Sequence, residues 1–160
     1  MIYRHQFNVA APIAEVVAFH RHSASMAAIT PPPVIVRMQH APELLTDGDE
    51  MRFTLWLGPL PIHWHARIEE VSEQGFIDRQ LNGPFNLWQH RHRFEAVGPQ
   101  KTVVHDEVTA TLSAHWFWKL VGLGMWLNMP ILFAFRGWKT RRLLENRTDA
   151  PTPLAHSDLS

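Results

Sequence analysis

Between Phe76 and Phe94 the chain reads Phe-Ile-Asp-Arg-Gln-Leu-Asn-Gly-Pro-Phe-Asn-Leu-Trp-Gln-His-Arg-His-Arg-Phe, and no other stretch narrows the possible folds as much. Asn82-Gly83-Pro84 is turn chemistry, so the segment predicts two antiparallel strands joined tightly. Side chains alternate across a strand, which puts Trp88, His90, His92 and Phe94 on one face of the second strand. Phe76, Asp78 and Gln80 alternate in the same way on the first. A face that mixes aromatics with Asp, Gln and two His is not a plain apolar core, because buried polar groups need partners. Such a face is expected to line a cavity or cleft.

The rest of the chain extends this sheet. Val34–Met38, Glu50–Leu57, Ile62–Ile68, Gly75–Gln80, Phe85–Phe94 and Thr102–Val108 are short alternating runs separated by Asp47-Gly48-Asp49, Gly58-Pro59-Leu60-Pro61, Asn82-Gly83-Pro84 and Gly98-Pro99. That punctuation predicts consecutive antiparallel strands. Tyr3–Val9 reads as a preceding strand. Ala11–His20 reads as a helix with Pro12 in its first turn and Ile13, Val16, Val17 and His20 at helical spacing. A second short helix is expected from a Ser23 cap to about Ile29, where Thr30-Pro31-Pro32-Pro33 ends it. A long C-terminal helix is expected from about residue 126 to Asn146. One helix and one antiparallel sheet each have a single apolar side to cover, and a curved sheet wrapped around the helix covers both. The fold class is therefore α+β, with residues 1–146 expected as one domain and 147–160, which hold Pro151 and Pro153, as a disordered tail.

Trp116 to Phe135 carries Lys119 as its only charge, and Arg136, Lys139, Arg141 and Arg142 follow. About 20 apolar residues could span a membrane. Asn128 and Pro130 within the run, with Gly122 and Gly124, suggest instead a helix that is broken or begins late. Burial of this segment against the sheet is the expectation, with peripheral membrane contact through 116–135 as the alternative.

Composition excludes several classes. Fifteen basic residues balance fifteen acidic ones, where a general nucleic-acid binder would need a basic excess, so no nucleic-acid partner is expected. There is no cysteine, hence no disulfide, thiol nucleophile or cysteine-ligated metal. The first residues lack the basic leader and apolar core of a signal peptide, and a cytoplasmic location is expected. A Gly-rich phosphate loop and a Gly-x-Ser-x-Gly elbow are both missing, and no cofactor is expected.

The element order resembles the START/Bet v 1-like (SRPBCC) superfamily, as do Ala11-Pro12, Phe19-His20, Thr30-Pro-Pro32, Gly58-Pro-Leu-Pro-Ile-His-Trp64, Phe76-Ile-Asp-Arg-Gln80, Gly83-Pro-Phe85, Trp88-Gln-His90, His92-Arg-Phe94, Asp106-Glu-Val108 and Phe133-Ala-Phe-Arg136. The nearest likeness is to its polyketide cyclase/dehydrase-like, ligand-binding members, over roughly residues 1–146. The resemblance implies a helix-grip fold with a hydrophobic cavity between sheet and C-terminal helix. The chain departs from it after Leu112, where Ser113-Ala-His-Trp-Phe-Trp118 stands in place of a short proline/glycine loop.

Within such a cavity Phe53, Trp64, Phe76, Asp78, Gln80, Trp88, His90, His92, Asp106 and Phe135 are the candidate ligand contacts. His63 and His65 alternate with Ile62, Trp64 and Ala66 and are expected to face solvent. Asp106 lies between Val104 and Val108 on one strand face; an inward Asp needs a donor, and the His pair is the obvious one. His90 and His92, expected about 7 Å apart, could act as general base or acid oriented by Asp78 or Asp106. With one of those carboxylates they could also hold zinc, although without Cys or an HExxH helix no metal centre is expected. The reading favoured is binding of a small hydrophobic or aromatic ligand, lipid- or polyketide-like. The alternatives are a cyclase/dehydratase-type enzyme in the same cavity and a membrane-associated lipid or quinone carrier.

Overall fold

The alternating runs pair into one antiparallel sheet. The computed structural model describes residues 1–148, with side chains to 146. Its elements are β1 (Ile2–Val9), α1 (Ile13–Arg21), α2 (Ser25–Ala28), β2 (Ile35–His40), β3 (Glu50–Leu57), β4 (Leu60–Ser72), β5 (Gly75–Asn82), β6 (Phe85–Gly98), β7 (Lys101–Leu112), α3 (Trp116–Leu127) and α4 (Met129–Thr148). The sheet order is β1-β7-β6-β5-β4-β3-β2, so only β1 is displaced from sequence order, pairing with β7. This is the α+β helix-grip architecture that the element order implies.

The two faces differ as alternation requires. Ile62, Trp64, Ala66 and Ile68 of β4 are buried on the inner face, as are Val104, Asp106, Val108 and Ala110 of β7. The outer face carries ion pairs such as Glu50–Arg67 at 2.7 Å and Glu70–Arg91 at 2.8 Å. His65 joins this lattice through Glu50, and His63 is exposed. Gly75 sits where β5 meets β6: a Cβ there would come within 2.0 Å of the His92 carbonyl oxygen, so the close pairing next to His92 requires glycine.

Three expectations need correction. Ser23 does not cap α2, whose N-cap is Ala24; Ser23 instead faces the Glu43 carbonyl. The C-terminal helix begins at Met129 and runs to Thr148, two residues into the segment expected to be a tail; residues 149–160 lie outside the described residues. Trp116–Leu127 is a separate helix that meets α4 at 49°, and Asn128 forms the corner. The Asn128 side chain bonds back to the Gly124 carbonyl at 2.8 Å, while Pro130 occupies the first turn of α4, where its missing N–H is tolerated. Gly122 and Gly124 do not break α3. Gly122 lets it press on the sheet edge, since a Cβ would sit 3.2 Å from both Phe85 and Leu112.

The expected burial of the apolar run holds for one of its sides. That side packs through Gly122, Met129 and Phe133, with Trp118, Val121, Met125, Trp126 and Leu132 half-buried against the core. Trp116 (68%), Leu120 (61%), Leu127 (69%) and Ile131 (67%) face outward. Among the described residues no single helix is long and apolar enough to cross a membrane.

Candidate functional site

A cavity of about 630 Å³ lies between the inner face of the sheet and the α3–α4 corner. Phe53, Leu55, Trp64 and Trp88 form its sheet wall, Val121, Met125, Met129 and Phe133 its helix wall, and Pro31–Val34 part of its rim. The aromatic wall is locked by ring contacts. Trp64 lies parallel to Phe53 at 6.0 Å and edge-on to Trp88 at 5.4 Å. Among the apolar lining stand Asp78, His90 and Arg136. An apolar pocket of this size with a few converging polar groups is the usual form of a small-molecule site.

Strand register assembles the polar groups. His90 of β6 stands opposite Asp78 of β5 and Val108 of β7, and His92 opposite Phe76 and Asp106. His90 Nε2 is 3.0 Å from Asp106 Oδ1. His92 Nδ1 is 3.1 Å from the same oxygen, but off the line of a good hydrogen bond. The two imidazoles lie 3.9 Å apart between centroids, nearer than the strand spacing predicts, because both lean toward one carboxylate. Burial alone would raise Asp106, but His90 and His92 beside it outweigh that and hold its carboxyl well below the usual range. Burial lowers His92 to about 4, helped by His90, and lowers His90 as well. Both rings are therefore neutral at pH 7 around an ionised Asp106. When His90 donates from Nε2, Nδ1 is left as an acceptor.

His20 of α1 backs the cluster, 5.9 Å from His92 between centroids. Its Nδ1 is held 2.8 Å from the Val16 carbonyl, and burial lowers it to about 4.

The helix side contributes Arg136. Its Nε is shielded from solvent with no hydrogen-bond acceptor, and its guanidinium lies 5.4 Å from the Phe133 ring centroid. Asp78 Oδ1 is likewise shielded and without a donor. Burial pushes Asp78 up to about 6 against the opposing pull of His92 and Arg136.

Of the candidate residues, Phe53, Trp64, Asp78, Trp88 and His90 line the cavity. His92 and Asp106 sit behind His90, and Phe76 stacks on His92 at 4.5 Å. Gln80 instead closes the hairpin, its amide donating to the Phe85 carbonyl at 2.7 Å. Phe135 lies off the cavity against Trp138, because one helical turn turns Phe133, not Phe135, inward. Arg136 was readable only as a basic flank of the apolar run; its signal was the three-residue spacing from Phe133, which puts both on one helix face. The donor atoms of His90, His92 and Asp106 also lie within 4.8 Å of one another, close enough to share a metal ion. The Arg136 charge felt at His90 opposes a second cation there.

No protein-family profile and no curated protein sequence matches the chain. Its fold does match solved structures. The Zhui aromatase/cyclase from Streptomyces sp. R1128 superposes with a TM-score of 0.75 at 15% identity, over 94% of this chain and 96% of that one. A protein from Chromobacterium violaceum gives 0.71 at 9% identity, over 91% and 98%. The di-domain aromatase/cyclase BexL of the BE-7585A biosynthetic pathway gives 0.67 at 16% identity; 94% of this chain is covered but 48% of BexL, so the chain spans about half of it. This chain carries the helix-grip fold, which it shares with these aromatase/cyclases.

Proposed function

We propose that the chain binds a small hydrophobic or aromatic molecule in the cavity between sheet and helices, its polar end against Asp78, His90 and Arg136. The observation that carries this is the cavity of about 630 Å³ with an aromatic wall and those polar groups set in it. Mass spectrometry of small molecules released from the natively purified chain tests it. One stoichiometric apolar species is expected; an empty protein that also takes up no apolar ligand would contradict it.

A cyclase- or dehydratase-type reaction in the same cavity is the alternative. It is supported by the likeness to aromatase/cyclases and by a neutral imidazole, His90, held by an ionised Asp106 at the cavity wall. Such chemistry needs only proton transfers at carbon and oxygen. Turnover of a poly-β-ketone by the chain, abolished in His90→Ala, would favour it over binding alone.

Docking on an anionic lipid surface is compatible with either reading, and the exposed apolar strip supports it. Trp116, Leu120, Leu123 and Leu127 recur on one face of α3, and Ile131 continues the strip onto α4. No acidic residue lies between Val108 and Leu144, while Lys119, Lys139, Arg141 and Arg142 do. A second copy on the same face would oppose these cations to one another; acidic headgroups would pair with them.

A further inference from the structure

We infer that the ligand of this cavity carries an anionic oxygen group at one end of its apolar body, and that Arg136 is the residue that binds it. The inference rests on the cavity being a ligand site.

A guanidinium presents five N–H donors in a rigid fork and keeps its charge at any ordinary pH. Among the described residues no hydrogen bond or ion pair reaches Arg136; its Nε is shielded without an acceptor, and its one ring contact is Phe133. Burial disfavours its charge, while Asp106 and Asp78 support it only through space. Folded proteins seldom leave a buried charged donor unpaired, because the unmet desolvation cost falls on stability. Arg136 also lines the cavity, so the missing acceptor has room to arrive as part of a ligand.

Asp78 completes the site. Its shielded Oδ1 lacks a donor, and neither this oxygen nor Arg136 Nε uses the other as partner. A ligand carboxylate could take a two-pronged bond from Arg136, and Asp78, in its protonated form, would donate to it. A neutral ligand leaves Arg136 unpaired.

The test compares anthracene-2-carboxylate with its neutral isostere anthracene-2-carboxamide by fluorescence titration of the full chain, with neutral N-phenyl-1-naphthylamine reporting on the cavity. The acid should bind about tenfold or more tighter than the amide, the worth of one charge-assisted contact. Arg136→Met should erase that preference by weakening the acid at least about tenfold more than the amide. Arg136→Lys should keep part of it, since an ammonium retains the charge but not the fork. Circular dichroism of both variants reports folding. Equal affinity of acid and amide, or equal weakening of both by Arg136→Met with Arg136→Lys showing no preference, overturns the inference while N-phenyl-1-naphthylamine binding leaves the cavity reading standing. Failure of all three ligands to bind the unaltered chain overturns the cavity reading and the inference with it.

Discussion

His90 Nε2 lies 3.0 Å from Asp106 Oδ1, and both side chains are buried on adjacent strands of the inner sheet face. The pair joins the cavity wall to its foundation: His90 lines the cavity, and Asp106 behind it accepts from His90 with His92 close by.

Asp106→Ala removes the acceptor and leaves a buried imidazole N–H unmet. We expect a loss of about 2–4 kcal/mol of unfolding free energy. His63→Ala, on the exposed face, should cost about 1 kcal/mol or less. Urea denaturation reads both; equal small losses would contradict the structural role given to Asp106.

Stability should fall on mild acidification. Burial holds His20 and His92 at about 4, against 6.5 ordinarily, so each is protonated first in the unfolded chain. Their contribution is fully present above pH 6.5 and is lost as pH falls toward 4. Asp78, raised to about 6, acts with the opposite sign: its contribution is present below its unfolded value and lost as pH rises through 6. Two histidines outweigh one aspartate, so unfolding free energy should drop by about 2–4 kcal/mol between pH 7 and 4.5. Asp78→Asn should raise stability at pH 7 and steepen that drop. A flat profile in both proteins would contradict the burial of these groups.

Arg136→Met should stabilise the unliganded chain by about 1 kcal/mol, because it replaces an unpaired, half-buried cation with a side chain of similar length. Thermal unfolding checks this. A large loss instead would mean that Arg136 serves the fold more than a ligand.

Leu120→Glu combined with Leu127→Glu should abolish sedimentation with vesicles of phosphatidylcholine and phosphatidylglycerol, and should change stability by less than about 0.5 kcal/mol since both side chains are exposed. Equal binding to vesicles of phosphatidylcholine alone would remove the electrostatic part of the argument.

The sheet was legible because period-two alternation states which side each residue faces. That argument placed Trp64, Trp88 and His90 together on one face and brought Asp106 to the His pair without knowledge of register. The helices were less legible. A helix packed inside a protein and one lying along its surface share the composition of Trp116–Leu127, and only the corner at Asn128 decides which side each residue shows. The same lost phase explains why Phe135 was favoured over Phe133, and why Arg136 read as a flank. Gln80 alternated correctly with Asp78, but at the hairpin end the local bond to Phe85 outcompetes any role in the cavity.

If the cavity holds an apolar ligand, plugging it should abolish binding. A Cβ at Gly124 meets nothing within 4 Å, and this exposed residue lies on the cavity lining, so Gly124→Trp sets a ring at the cavity mouth without displacing the fold. Titration with N-phenyl-1-naphthylamine should show one saturable site in the unaltered chain and none in a folded Gly124→Trp. Absence of saturable binding in the unaltered chain, or unchanged binding in the plugged one, would contradict the account.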